Sequence, residues 1–160
     1  MKRLLFILVF AATLVACNRH SEHWATITEM ETIIEERPDS VLGVLQAIDT
    51  DELIGNEERA KHALLLSMAL DKNYIDRTDF EVLQPAIDYY EDNGTATDKL
   101  RTYYYQGRIY QNQGNDASAM RSFINAIDKG AESNDNLTKA RSLVAQSTIY
   151  YSWQLSTLIL

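Results

Sequence analysis

The sequence predicts an all-α fold built from antiparallel helix pairs. Along most of the chain, apolar residues recur at intervals of three and four, which places them on one face of a helix. Gly, Asn and Pro residues punctuate this pattern, and no stretch shows the sustained apolar–polar alternation of a half-buried strand. A chain of 160 residues is long enough to form one domain with a buried core.

The first two helices are predicted to form a hairpin over residues 24–48. Apolar residues repeat at helical spacing from Trp24 onwards, and Pro38 is expected to end the first helix because proline lacks a backbone donor. Asp39 and Ser40 then have the side chains that cap a helix N-terminus, so the second helix is expected to begin there.

The start of the fourth helix has two readings. A third helix is expected over about residues 57–72, and Thr78 and Glu81 beyond it have the spacing of a capping box. If that box forms, Pro85 lies inside the fourth helix and kinks it. If the helix begins near Gln84, Pro85 fits its first position. The sequence leaves both open.

Three further helices follow the Asn93-Gly94 stop signal. The fifth is expected over about residues 97–112, the sixth over 116–129, and the seventh from about residue 136. Gly114 and Gly130 mark the ends of the fifth and sixth, since glycine commonly follows the last helical turn.

The N-terminus has the parts of a secretory signal. Lys2 and Arg3 precede an apolar stretch at 4–14, which is too short to span a bilayer. The quartet Leu-Val-Ala-Cys at 14–17 resembles the bacterial lipobox, in which a diacylglyceryl group is joined to the cysteine before cleavage in front of it. Residues 1–16 are therefore expected to be a lipoprotein signal peptide, with Cys17 as the lipidation site.

Lipidation would place the protein on a membrane of the bacterial cell envelope. Buried acyl chains contribute about 0.8 kcal/mol per CH₂, so two or more chains anchor a protein stably. Residues 17–23 are expected to form a polar, solvated tether. The residue after the cysteine is Asn18. An Asp at this position would favour the inner membrane by the usual sorting rule, so Asn18 favours the outer membrane. Whether the domain faces the periplasm or the surface stays open.

The fifth and sixth helices carry the clearest packing motif. Tyr103, Gly107 and Tyr110 share one face of the fifth helix. Glycine inside a helix costs about 1 kcal/mol relative to alanine, a cost that a close helix–helix contact would explain. Gly107 is expected to lie against Ala119 of the sixth helix. The six residues assigned to repeat packing are Tyr103, Gly107, Tyr110, Ala119, Phe123 and Ala126.

These residues fall on six signature positions of the tetratricopeptide repeat (TPR), which the pair resembles. The family's proline near the end of the unit is replaced here by Ala131. The resemblance implies a short TPR-like superhelix over residues 24–160, in a TPR lipoprotein of the Gram-negative envelope. It divides that domain into a divergent N-terminal hairpin at 24–48, a degenerate repeat at 57–94, the best repeat at 97–130, and an incomplete repeat or capping helix at 136–160.

Composition and motifs argue against several classes of function. The formal charge of −8 disfavours nucleic acid, whose phosphates an acidic surface repels. His20 and His23 form an HxxH spacing, but two histidines alone are a weak signal for a metal, so no metal site is predicted. His62 is a lone histidine, and no glycine-rich phosphate loop is present. The chain is therefore not expected to be an enzyme or to hold a cofactor.

The TPR resemblance implies a binding surface on the first helix of each pair. On the fifth helix, arginine forks and tyrosine rings could grip an acidic or C-terminal peptide segment. This predicts a membrane-tethered scaffold or adaptor that binds a protein or peptide. The residues predicted to bind the partner are Arg101, Tyr104, Tyr105, Arg108 and Asn112.

Two alternative functions stay open, as does the role of the C-terminal end. The chain could be the N-terminal sensory or ligand-binding part of a longer signalling lipoprotein. It could instead bind surface glycans, with the clustered tyrosines stacking on sugar rings. The apolar C-terminal end, Leu158-Ile159-Leu160, could also be covered in a homo-oligomer, covered by a partner, or be a mark of truncation.

Overall fold

A computed structural model describes residues 20–158, and every regular element among them is helical. The all-α prediction is confirmed. The expected signal peptide and Cys17 lie outside the described residues, as do Ile159 and Leu160. The helices are α1 (His23–Ile33), α2 (Pro38–Gln46), α3 (Gly55–Lys72), α4 (Gln84–Tyr90), α5 (Ala96–Asn112), α6 (Asp116–Lys129) and α7 (Asn136–Leu158), with a 3₁₀ turn at Thr50–Glu52.

The helices pack in chain order, each against the next. The odd-numbered helices also touch one another, since α3 contacts both α1 and α5, and α5 contacts α7. One apolar core follows from this arrangement and runs along the whole row of helices. Its largest fully buried apolar side chains are Phe123, Ile27, Ile34, Leu45, Leu53, Leu65, Met68, Leu83, Leu100 and Val41.

Both prolines lie in the first turn of a helix. Pro38 is itself the first residue of α2, and Arg37 precedes it without a side-chain cap, so the expected caps at Asp39 and Ser40 are wrong. Pro85 lies in the first turn of α4, which begins at Gln84. In both places the missing proline N–H is one that a first helical turn leaves unpaired anyway.

The capping box expected at Thr78 and Glu81 does not form. Asp79 instead accepts a hydrogen bond from the Glu81 amide (3.1 Å) in the loop before α4. A capping box is found at α5, where the Thr95 amide donates to Asp98 (2.8 Å) and the Asp98 amide donates to the Thr95 hydroxyl (3.2 Å). The reciprocal bonds fix the first turn of α5.

Gly107 makes the close contact that its place in a helix suggested, but with a different neighbour. A Cβ at this position would lie 2.5 Å from Cε1 of Phe123, whereas Ala119 had been expected opposite it. The ring of Tyr104 completes the contact, with its centroid 5.7 Å from that of Phe123. Tyr110 packs instead on Phe80, ahead of α4, at 4.9 Å. The sixth-helix residues assigned to packing, Ala119, Phe123 and Ala126, are all fully buried.

His20 and Ser21, near the C-terminal end of the expected tether, contact the helical domain instead of being fully solvated. The Ser21 amide donates to the fully buried carboxylate of Glu58 (2.9 Å), and the Ser21 hydroxyl donates to the same group. The His20 ring stacks on Trp24, with 3.7 Å between centroids. The Ile54 amide also donates to Glu58 (3.0 Å), so one carboxylate joins the chain ahead of α1 to the start of α3.

Candidate functional site

Arg101, predicted to bind a partner, is held by two carboxylates of its own chain. Its Nε donates to Asp135 (2.7 Å) and its Nη1 donates to Glu31 (2.9 Å). Burial by itself lowers the pKa of the Arg101 guanidinium, but Asp135 and Glu31 raise it above its usual value. Arg101 is therefore a charged internal cross-link between α1, α5 and the start of α7.

Tyr104 and Tyr105 were predicted to face a ligand, and the structure places them in the core. Only 7% of Tyr104 and 2% of Tyr105 is exposed. The cause is the position of α5, which is flanked by α3 and α7 in the odd-numbered row and covered by α6. Burial raises the pKa of the Tyr105 phenol well above its usual value. Neither ring offers the free face that stacking on a sugar requires.

Arg108 and Asn112 also have partners within the chain. Arg108 donates from Nε to Asp71 (2.9 Å) and from Nη1 to Gln111 (2.9 Å). Asn112 donates to the backbone carbonyl of Arg77 (3.0 Å). Both line a cavity of about 20 Å³, which holds about one water molecule and no peptide.

Arg101 belongs to a row of basic residues that pair with acidic residues on and just beyond α1. Lys61, Arg101 and Arg141 recur every 40 residues, one on each of α3, α5 and α7. Lys61 and Arg101 both bind Glu31 of α1. Arg141 lies 3.3 Å from the carboxylate of Glu35, just beyond α1, which Lys72 also binds at 2.7 Å. Glu31 and Glu35 therefore pair with basic residues on all three of α3, α5 and α7.

Sequence reasoning missed Glu31, Glu35 and Asp135 as partners of this row. The signal available was the spacing: two carboxylates four residues apart share a helix face, and basic residues recur at a fixed period. The distances along the chain hid it, since Arg101 and Glu31 are 70 residues apart and Arg141 and Glu35 are 106 apart.

The row leaves one groove open, between α5 and α7. We call it the α5–α7 groove; it has a volume of about 400 Å³. Two predicted binding residues, Tyr104 and Arg108, reach it from α5, while Val144 presents an exposed apolar side chain from α7. The complete lining is Tyr104, Arg108, Gln111, Ala140, Arg141, Val144, Ala145 and Thr148.

Arg141 is the cation of this groove most available to a ligand. Its two hydrogen bonds to Glu35 are long, at 3.3 and 3.4 Å. The Arg141 side chain is 34% exposed and the Glu35 side chain is 42% exposed. Such solvent-exposed pairs contribute little to stability, about 0–1 kcal/mol. A carboxylate entering the groove can therefore replace Glu35 at small cost, whereas Arg101 would have to leave two partly buried partners.

Comparison of the chain with protein-family models, with curated proteins and with solved structures yields no match. Within residues 20–158, no helix combines the length and the apolar character that crossing a bilayer requires. The assignment of a function therefore depends on the sequence motifs and on the chemistry of the α5–α7 groove.

Proposed function

We propose that the protein is a membrane-tethered TPR-like adaptor of the bacterial envelope, which binds a protein or peptide segment in the α5–α7 groove. The open groove is the observation that carries this proposal. It combines two guanidinium groups, from Arg108 and Arg141, with apolar surface from Val144 and Ala145. Arginine forks match carboxylates, and an apolar floor gives contact area to a peptide's side chains.

Two observations support a TPR-like superhelix. The helices pack as successive pairs, with the first helix of each pair also touching the first helix of the next. A shift of 40 residues relates α5 to α7, and it carries Arg101 onto Arg141 and Ile109 onto Ile149. In a solenoid of stacked helix pairs, these first helices line one surface along which a ligand lies.

The groove fits an extended segment that carries a carboxylate, either an acidic side chain or a C-terminus. Arg141 would take the carboxylate in place of Glu35, and Val144 and Thr148 would contact the residues next to it. Nearby Arg108 keeps its bond to Asp71, so it adds positive potential without having to move. The acidic partner thereby takes the place of the carboxylate that Glu35, just beyond α1, presents to the same arginine.

A crosslinked pull-down from envelope membranes tests this site. We expect Arg141→Glu to lose a partner that the native chain retains, because the reversed charge repels the incoming carboxylate. Arg121→Glu is the matched control: it makes the same charge change at an exposed position of α6, outside the groove. Loss of the same partner in both variants, or in neither, would contradict binding in the groove. Arg101 is unsuitable here because its reversal would disrupt the fold.

The membrane tether has its own test. We expect Cys17→Ser to shift the chain out of the detergent phase and to abolish incorporation of labelled fatty acid, because the thiol is the predicted site of acylation. Circular dichroism of the variant should match the parent, since Cys17 precedes the first described helix, which begins at His23. Unchanged detergent-phase partition of Cys17→Ser would contradict lipid anchoring.

A further inference from the structure

A cavity of about 410 Å³ lies between the 3₁₀ turn, α3 and the turn that leads into α4. We call it the α3 cavity, because Arg59, His62, Ala63 and Leu66 share one face of α3 and line it. Its volume falls within the range of small-molecule sites, which is about 300–1,000 Å³. Its lining residues differ from those of the α5–α7 groove, so it is a separate candidate site.

A smaller cavity between α4 and α5 is the equivalent of the α3 cavity in the next helix pair. It has a volume of about 100 Å³. A shift of 40 residues carries positions 50, 51, 62, 63 and 66, which line the α3 cavity, onto positions that line the smaller one. The residues at those equivalent positions are Tyr90, Glu91, Thr102, Tyr103 and Gln106. The two cavities therefore occupy the same place in successive helix pairs.

Two tyrosine side chains account for the difference in volume. Tyr90 and Tyr103 stand at the positions where the α3 cavity has Thr50 and Ala63. Tyr90 is only 4% exposed and Tyr103 is half-buried, so their rings take up space that the smaller residues leave open. Tyr103 thus serves as a template for a ligand, because an aromatic ring lying over Ala63 would fill the α3 cavity as the Tyr103 ring fills its equivalent.

His62 gives the α3 cavity a buried hydrogen-bond acceptor. Its side chain is only 3% exposed, and its Nε2 lies 2.9 Å from the carbonyl oxygen of Leu45. Because a carbonyl only accepts, Nε2 carries the hydrogen, and Nδ1 of the neutral ring is an acceptor. No residue within 20–158 donates to Nδ1. A ligand with a donor at the end of its ring, such as a phenol hydroxyl, would supply the missing hydrogen bond.

The rim of the α3 cavity carries charges of both signs. Arg59 is exposed, and none of the ion pairs among residues 20–158 includes it. Asp51, which lines the cavity from the 3₁₀ turn, is likewise exposed and outside those ion pairs. Glu81 adds a second carboxylate and lies 3.8 Å from Arg77. A guanidinium group and carboxylates around one cavity match a zwitterion, which carries both a carboxylate and an ammonium group.

We propose that the α3 cavity binds a free aromatic amino acid with a hydrogen-bond donor on its ring, of which L-tyrosine is the simplest. The ring of the ligand takes the place over Ala63 that the Tyr103 ring takes in the equivalent cavity. The phenol hydroxyl donates to Nδ1 of His62, the carboxylate pairs with Arg59, and the ammonium group pairs with Asp51. Each functional group of the ligand thus meets a partner of complementary chemistry.

Equilibrium dialysis of isotope-labelled L-tyrosine against the full chain in detergent measures this binding directly. We expect saturable binding. L-Phenylalanine should compete at least tenfold more weakly, because it leaves Nδ1 of His62 unpaired. N-acetyl-L-tyrosine lacks the ammonium group and L-tyrosine amide lacks the carboxylate, so each should also compete at least tenfold more weakly than the free amino acid.

Two variants locate the ligand in the α3 cavity. Ala63→Tyr installs the ring that fills the equivalent cavity, so it should abolish binding and keep the circular dichroism spectrum of the parent. Ala117→Tyr, at an exposed position of α6, is its control and should bind within twofold of the parent. Arg59→Gln should weaken binding at least tenfold, whereas Arg121→Gln on α6 should not. Because Arg59 is exposed, its replacement tests the site even where Ala63→Tyr does not fold.

Several outcomes overturn the inference. Absence of saturable binding does so, as does binding that survives both Ala63→Tyr and Arg59→Gln. Phenylalanine that competes as well as tyrosine excludes the contact with His62 and with it this class of ligand. Equal competition by N-acetyl-L-tyrosine or L-tyrosine amide indicates the terminal residue of a peptide instead of a free amino acid. Loss of tyrosine binding in Arg141→Glu, which should leave it within twofold, places the amino acid in the α5–α7 groove.

Discussion

Two glycine-to-alanine substitutions should change stability in opposite directions. Gly43 lies in α2 and Gly107 in α5, both inside helices and both with ordinary backbone angles. A Cβ at Gly43 would meet nothing within 4 Å, whereas a Cβ at Gly107 would meet the Phe123 ring at 2.5 Å. Alanine is favoured over glycine in a helix by about 1 kcal/mol, so the gain is the same and only the clash differs.

The magnitudes follow from that difference. Gly43→Ala should raise the free energy of unfolding by about 1 kcal/mol. For Gly107→Ala, overpacking a core costs about 1–3 kcal/mol, and the upper end applies because the Phe123 ring is fully buried and has Tyr104 beside it. A cost of about 3 kcal/mol less a gain of about 1 kcal/mol leaves a loss of roughly 2 kcal/mol.

Thermal and urea unfolding, followed by circular dichroism, measure both effects. At about 2–4 °C per kcal/mol for a chain of this size, Tm should rise by roughly 2–4 °C in Gly43→Ala and fall by roughly 4–8 °C in Gly107→Ala. Adding Phe123→Leu to Gly107→Ala should cost less than the sum of the two single changes, because the smaller side chain removes the clash. A Gly107→Ala variant as stable as the parent would refute the packing of α6 on α5.

Three further predictions concern charge and pH. Glu31→Gln should lower the free energy of unfolding, measured by urea denaturation, by about 1–3 kcal/mol, because Glu31 accepts hydrogen bonds from Lys61 and Arg101. The control Glu29→Gln, at an exposed position, should change it by less than about 0.5 kcal/mol, and equal effects would count against the Glu31 cross-link. Burial lowers the pKa of His62 from 6.5, so the unfolded chain takes up that proton first and stability should fall as pH drops below about 6.5. His62→Gln should flatten this dependence, and an unchanged slope would show that another group causes it. Burial alone raises the pKa of Asp135, but the Thr138 amide and the Arg101 guanidinium hold that pKa below its usual 3.8. The contribution of Asp135 to stability is therefore present above about pH 4 and lost below it. Asp135→Asn should lose part of the acid transition, and an identical acid transition would exclude that role.

The sequence predicted those parts of the fold that depend on neighbours along the chain. Helical spacing predicted seven helices, and glycine and asparagine signals placed most of their ends within a few residues. Pro85 could be placed only by the structure, because the sequence allows both a proline that kinks a helix and a proline in its first turn. Thr78 and Glu81 had the spacing of a capping box, but the chain between Lys72 and Gln84 is a loop in which Asp79 makes the competing bond.

The surroundings of the predicted binding residues were harder to predict because they depend on contacts between residues far apart in the chain. The pattern on α5 put Arg101, Tyr104 and Tyr105 on one face of the helix, but it could not show that Tyr104 and Tyr105 are buried in the core and that Arg101 is paired with Glu31 of α1. Glu31 lies 70 residues before Arg101, and periodicity within one helix contains no information about such a partner. What stays open is the edge toward α7, where Arg108 and Arg141 line the groove.

Site-specific photocrosslinking in cells tests the adaptor proposal most directly. A photoreactive residue replaces Thr148, which lines the α5–α7 groove, and the same residue replaces Asn125 on the exposed side of α6 as the control. The proposal predicts a discrete crosslinked protein from Thr148 that is absent from Asn125 and is lost when Arg141→Glu is added. Crosslinks of equal pattern from both positions, or a Thr148 crosslink that survives Arg141→Glu, would contradict a partner held in the groove by its carboxylate.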